Sequence, residues 1–171
     1  MAATQFEFSN KVDSLTSILK QILEFINSSH STDNDISALL FKAKVITTEL
    51  LTNSIKHSES TSTIIDIKLD QNTLIISKVD YGKPLALIAD ANSSPDKIHV
   101  TNDILHTLYA RSKMENQIQF TCEENKMDDL LELNDIIEHF GLLIITKAAD
   151  EFIYTYDNQT KENTFIVTLN L

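Results

Sequence analysis

Apolar and polar positions along the chain change their period several times, and each change marks an element. Gln5-Phe6-Glu7-Phe8 alternates and predicts a short strand, with Ser9 or Asn10 as the cap of a first helix. Over residues 12–26 the apolar positions Val12, Leu15, Ile18, Leu19, Ile22, Leu23 and Ile26 keep the spacing of one helical face, which predicts that this helix is amphipathic. Residues 27–34, rich in Ser, Thr and Asn, read as a loop, with Asp33 or Asn34 as the cap of a second helix over about 35–57. Two β-branched runs, 63–69 and 73–79, flank Asp70-Gln71-Asn72 and predict an antiparallel hairpin whose second strand ends on Asp80.

Beyond Asp80 the pattern loosens. Tyr81-Gly82-Lys83-Pro84 is a turn, and residues 85–127 read as irregular structure with short helices, one over 102–110 and another starting at Lys126 or Asp128 and reaching Ile137. A connection this long in a compact domain is more often a functional lid than filler. Phe140 to Ala149 predicts a buried helix, and two more strands are expected over 151–157 and 164–169. Strands mixed with long helices give an α+β fold: a two-layer sandwich with one mostly antiparallel sheet covered on one face by helices. The whole chain, 1–171, is expected to form a single domain with a lid-like insertion at about 85–127.

Composition narrows the partners. A net charge of -11, one arginine (Arg111) and scattered lysines exclude a nucleic-acid binder, which would need clustered cations to neutralise phosphates. Any anionic ligand must therefore meet a local exception. Cys122 is the single cysteine, so there is no disulfide framework, and no apolar run reaches membrane length. A cytoplasmic, reducing compartment is the expectation, with no membrane partner.

Candidate chemistry concentrates in Glu49-Leu50-Leu51-Thr52-Asn53-Ser54-Ile55-Lys56-His57. On a helix, Glu49, Asn53 and Lys56 stand at i, i+4 and i+7 and share a face. That trio can accept a proton, ligate a hard cation through oxygen and approach a phosphate, or it can simply be a solvated stripe. Asp80 adds a carboxylate at a strand end. Only two glycines occur, Gly82 and Gly141, each where one element hands over to the next. No Cys or carboxylate partner stands at ligand spacing from a histidine, so no zinc site is expected.

These motifs resemble the GHKL superfamily of ATP-binding domains, and within it the anti-sigma-factor serine/threonine kinases. Glu49-x-x-x-Asn53-x-x-Lys56-His57 is similar to the superfamily's N box, and Asp80-x-Gly82 to the start of its first glycine box. Phe140-Gly141-Leu142 is similar to the middle of the second glycine box, Ala149-Asp150-Glu151-Phe152 to the segment after the closing helix, and Asn163-Thr164-Phe165 to the entry into the terminal strand. The five matches occur in family order. The resemblance implies a Bergerat-type fold, ATP and Mg²⁺ as ligands, and phosphorylation of a small antagonist protein by a kinase that also binds a sigma factor. It further implies that Glu49 is the general base and Asn53 the Mg²⁺ ligand. Lys56 is then a phosphate neighbour, Asp80 the acceptor for the adenine amine, and Gly82 the point where backbone approaches the base. Gly141 lies under the phosphates, Thr164 supports the adenine, and dimerisation runs through the first strand and helix.

The chain also departs from the family. Pro84 stands where the first box has its second glycine, His139 where the second box opens with glycine, and the lid has no glycine. Lys83, Arg111 or Lys113 are the cations available to replace lost backbone donors. Two other functions therefore stand beside the kinase: a catalytically degenerate partner-switching module, and the catalytic portion of a sensor histidine kinase, which the N box also resembles.

Overall fold

The computed structural model describes residues 1–30, 36–93, 96–125 and 139–171. Strand β1 (Ala2–Phe8) leads into helix α1 (Val12–Ser29), and helix α2 (Ser37–His57) precedes the hairpin of β2 (Thr63–Leu69) and β3 (Thr73–Tyr81). The hairpin turn is built by Asp70, whose Oδ1 accepts from the backbone N–H of Asn72 at 2.8 Å and of Thr73 at 2.9 Å. A short helix α3 (Leu87–Ser93) comes next, then strands β4 (Ile98–Asn102), β5 (His106–Met114) and β6 (Gln117–Glu124). Helix α4 (Phe140–Ala148), β7 (Glu151–Asp157) and β8 (Glu162–Asn170) complete the described chain.

All eight strands form one antiparallel sheet in the order β1-β2-β3-β8-β7-β6-β5-β4. The fold is thus mixed α/β of the α+β kind. Buried positions recur with a period of two on one face: Ile65, Ile67 and Leu69 on β2, Leu74 and Ile76 on β3, Phe165, Val167 and Leu169 on β8, and Phe152 and Tyr154 on β7. Helix α2 packs against both α1 and α4, so it buries residues on two sides, with Ala43, Ile46, Leu50 and Leu51 all inaccessible to solvent. Phe120, Phe152 and Phe165 carry an aromatic row across β6, β7 and β8, with ring centroids 4.8 and 6.2 Å apart. Among the described residues, no helix is long and apolar enough to cross a membrane.

Several expectations are corrected. Ile98–Asn102, His106–Met114 and Gln117–Glu124 are sheet strands rather than the irregular, lid-like insertion. The helix expected over 102–110 is instead the end of β4, a turn and most of β5. Ile104, Leu105, Leu108 and Tyr109 have the spacing of one helical side, yet Ile104 and Leu105 are each 65% exposed in that turn while Leu108 is buried on β5. The turn is fixed by Asp103, whose Oδ1 accepts from the N–H of Leu105 and His106 at 2.8 and 2.6 Å. Neither Ser9 nor Asn10 caps α1: its N-cap is Lys11 without a side-chain bond, and Asn10 takes a left-handed backbone while its amide donates to the Ser60 carbonyl. The caps Asp33 and Asn34 and the helix ending at Ile137 lie outside the described residues.

Candidate functional site

A cavity of about 700 Å³ opens where α2, α4 and the ends of β3 and β8 meet. Ligand sites of drug or nucleotide size fall in this range. From α2 it is lined by Glu49, Asn53, Lys56 and His57, from β3 by Lys78 and Asp80, from the turn after β3 by Pro84 and Leu85, and from the start of α4 by Phe140 and Gly141. Three stretches far apart in sequence, the helical trio, the strand-end carboxylate and the second glycine, therefore converge.

Helical spacing brings Glu49 and Asn53 to one face of α2, and Gly141 lets α4 come close to it. A methyl group on residue 141 would lie 2.7 Å from Glu49 Oε2 and 3.6 Å from both Oδ1 and Nδ2 of Asn53. Only hydrogen fits there without displacing the carboxylate. Among the described residues, no hydrogen bond or ion pair occupies the Glu49 carboxylate or the Asn53 amide. The start of α4 borders the same space: the His139 carbonyl accepts from the Leu142 N–H at 2.9 Å, and Phe140 and Gly141 stand ahead of that bond, at the positive end of the helix. His139, the N-cap of α4, holds φ at 69° and ψ at 10°. This is the left-handed conformation that a glycine would take without steric cost.

The floor is set by strand phase. Leu74, Ile76, Lys78 and Asp80 all project from the helix-covered face of β3; the first two are roofed by helices, and the last two reach the cavity. Lys78 and Asp80 are only 3% and 4% exposed, and the ammonium lies 2.6 Å from Asp80 Oδ2. It also sits 4.5 Å from the centre of the Phe165 ring. Burial pushes the Lys78 ammonium below the ordinary lysine range, against the attraction of Asp80. Across the ladder, Asp80 faces Asn163 and Lys78 faces Phe165. The Tyr154 hydroxyl donates to Asn163 Oδ1 at 2.7 Å and accepts from the Leu85 N–H at 2.8 Å, which ties the turn after β3 to the sheet. Burial raises this phenol to about 12.

Glu49, Asn53, Lys56, Asp80 and Gly141 all line the cavity, whereas Gly82 and Thr164 do not. Gly82 shapes the rim: its φ is 146°, a Cβ there would come within 3.1 Å of Glu59 Cβ, and its carbonyl accepts from the Tyr156 hydroxyl. Thr164 is out of phase. Asn163, Phe165, Val167 and Leu169 face the helices, so Thr164 points to the opposite side of the sheet, where its hydroxyl donates to Glu162 Oε1. Asn163, one residue earlier and on the helix-covered face, lines the cavity instead, and the period of two in 163–169 carries that signal. Arg111 and Lys113 also lie away from the cavity, Lys113 paired with Glu151. Lys83 lines the rim near Glu59. Lys78 is the functional candidate missed in the sequence, although its phase with Leu74, Ile76 and Asp80 was readable.

Within a strongly acidic chain, this cavity balances Glu49, Glu59 and Asp80 against Lys56, Lys78 and Lys83. Its lining is thus formally neutral, a local departure from the acidity of the chain as a whole. No model of a known protein family matches the chain, and no curated protein is significantly similar to it.

Proposed function

We propose that the cavity binds a nucleoside triphosphate with Mg²⁺, and that the protein is an anti-sigma-type serine/threonine kinase acting on a small antagonist protein. The observation that carries this is the convergence of an unengaged Glu49 carboxylate and Asn53 amide on Gly141 at the start of α4. The donor set suits the ligand: Asn53 offers the carbonyl oxygen that would hold Mg²⁺, while Lys56, Lys83 and the α4 N-terminus offer positive potential to phosphates. Bound Mg²⁺ supplies charge neutralisation on the phosphate oxygens. Glu49 is the general base: it takes the proton of the substrate hydroxyl as that oxygen bonds to the terminal phosphorus and the bridging bond to the nucleoside diphosphate breaks. Asp80 fixes the base end of the nucleotide. Positioning and charge placement of this kind make up most of what phosphoryl transfer asks of a protein.

A second function, a partner-switching module without turnover, is favoured by one feature, the Lys78 ammonium already paired with Asp80. Incubating the protein with Mg²⁺, γ-labelled nucleotide and its antagonist protein separates the two. A kinase labels serine or threonine, and Glu49→Ala lowers the rate by about a hundredfold or more, the usual weight of a general base. Nucleotide binding without transfer of label selects the module, and the absence of any nucleotide binding refutes the kinase.

A further inference from the structure

Resting on the nucleotide role of the cavity, we infer that the base it selects is guanine, read by Lys78 and Asp80 as adjacent donor and acceptor. A lone carboxylate at a strand end suits adenine, whose exocyclic amine donates to it. The floor here is different. Lys78 and Asp80 project from the same face of β3, both line the cavity, and their charged groups touch at 2.6 Å. An ammonium has three donors and no acceptor capacity. One direction is taken by Asp80 Oδ2, and the Phe165 ring lies on another side at 4.5 Å. A base seated on Asp80 therefore meets a second cationic donor directly beside the carboxylate.

Guanine answers both groups. Its O6 carbonyl is an acceptor for the ammonium, and the adjoining N1–H and N2–H are donors to the carboxylate. Adenine offers the ammonium only a ring nitrogen, a weaker acceptor than a carbonyl, beside an amine that is itself a donor. Asn163 tilts the floor the same way. Its Oδ1 is occupied by the Tyr154 hydroxyl at 2.7 Å, so the side chain has its amide N–H donors left to offer. The floor is accordingly rich in donors around one half-used carboxylate, and because it is buried, an unmatched group there is costly.

Competition binding of GTP, ITP and ATP to the wild-type chain with Mg²⁺ tests this directly. GTP is expected to bind at least about tenfold more tightly than ATP, the discrimination typical of one well-matched base edge. ITP, which keeps O6 and N1–H, should fall nearer to GTP. ATP binding as tightly as GTP, or more tightly, overturns the inference while leaving nucleotide binding intact; binding of none of the three overturns nucleotide binding itself. Lys78→Met should move the preference toward ATP, and Lys78→Gln, which keeps a donor, should retain the preference for GTP. Equal preferences in these two variants, each checked for cooperative unfolding, would also remove Lys78 from base selection.

Discussion

Replacing Lys78 with Met should destabilise the fold, and adding Asp80→Leu should restore the loss in full or more. The two groups are almost wholly buried and lie 2.6 Å apart, so removal of the ammonium leaves a carboxylate in the floor without its partner. Breaking a buried pair from one side costs about 3–5 kcal/mol. The lower end, about 3 kcal/mol, is expected because the cavity gives the carboxylate some access to water. For a chain of this size that corresponds to a fall in melting temperature of about 6–12 °C. The direction of the Lys78 shift says that burial outweighs the attraction of Asp80, so an apolar pair of similar volume should be neutral or stabilising relative to wild type. The same shift sets the sign of the pH dependence. The unfolded chain holds this proton to higher pH than the folded one, so stability rises with pH through the alkaline window below the ordinary value of 10.5, and Lys78→Met lacks that rise. Urea unfolding followed by circular dichroism, run as a double-mutant cycle, reads each quantity. Single substitutions costing under about 1 kcal/mol and adding without coupling would refute a buried, coupled pair.

Three further outcomes rest on particular contacts. Gly141→Ala should leave stability nearly unchanged, because the methyl group meets the movable end of Glu49 and gains helix propensity, yet nucleotide binding should weaken about tenfold or more by titration calorimetry. Tyr154→Phe should cost about 1–3 kcal/mol in chemical denaturation, since Asn163 Oδ1 and the Leu85 N–H both lose their partner. Partial burial raises the Asp103 carboxyl, but the Leu105 and His106 N–H groups and Lys147 outweigh it and hold it below 3.8. Its stabilisation relative to Asp103→Asn should be present above that value and disappear as the pH falls through the lowered folded value in an acid denaturation series.

Much of the helix and hairpin framework was legible because its period is clean. The spacing from Val12 to Ile26 and the β-branched runs around Asp70 fall on α1 and on β2 and β3, with ends displaced by a few residues. The strands β4 to β6 were obscured for two reasons. Their alternation is broken by register shifts between His99 and Thr101 and between Ser112 and Met114, and Ile104 and Leu105 mimic a helical stripe although they sit in a turn. Helical spacing in α2 was enough to bring Glu49 and Asn53 together, and Asp80 and Gly141 meet them in one cavity. Thr164 and Lys78 illustrate the part that was overlooked. Strand phase decides which face a residue takes, so Thr164 lies on the far side of the sheet, while Lys78, spaced like its apolar neighbours, enters the floor. The left-handed backbone of His139 had only a faint signal: histidine is among the few non-glycine residues enriched in that conformation, and it stands where the resembled box opens with glycine.

Thermal unfolding of the wild-type chain and of Asn53→Ala, each titrated with GTP and ATP in Mg²⁺, tests the central claim most directly. A nucleotide at one hundred times its dissociation constant should raise wild-type stability by about 2.7 kcal/mol, with a much smaller gain in the variant. A melting curve that no nucleotide moves, or one that Asn53→Ala leaves as responsive as wild type, would contradict a phosphate and Mg²⁺ site between α2 and α4.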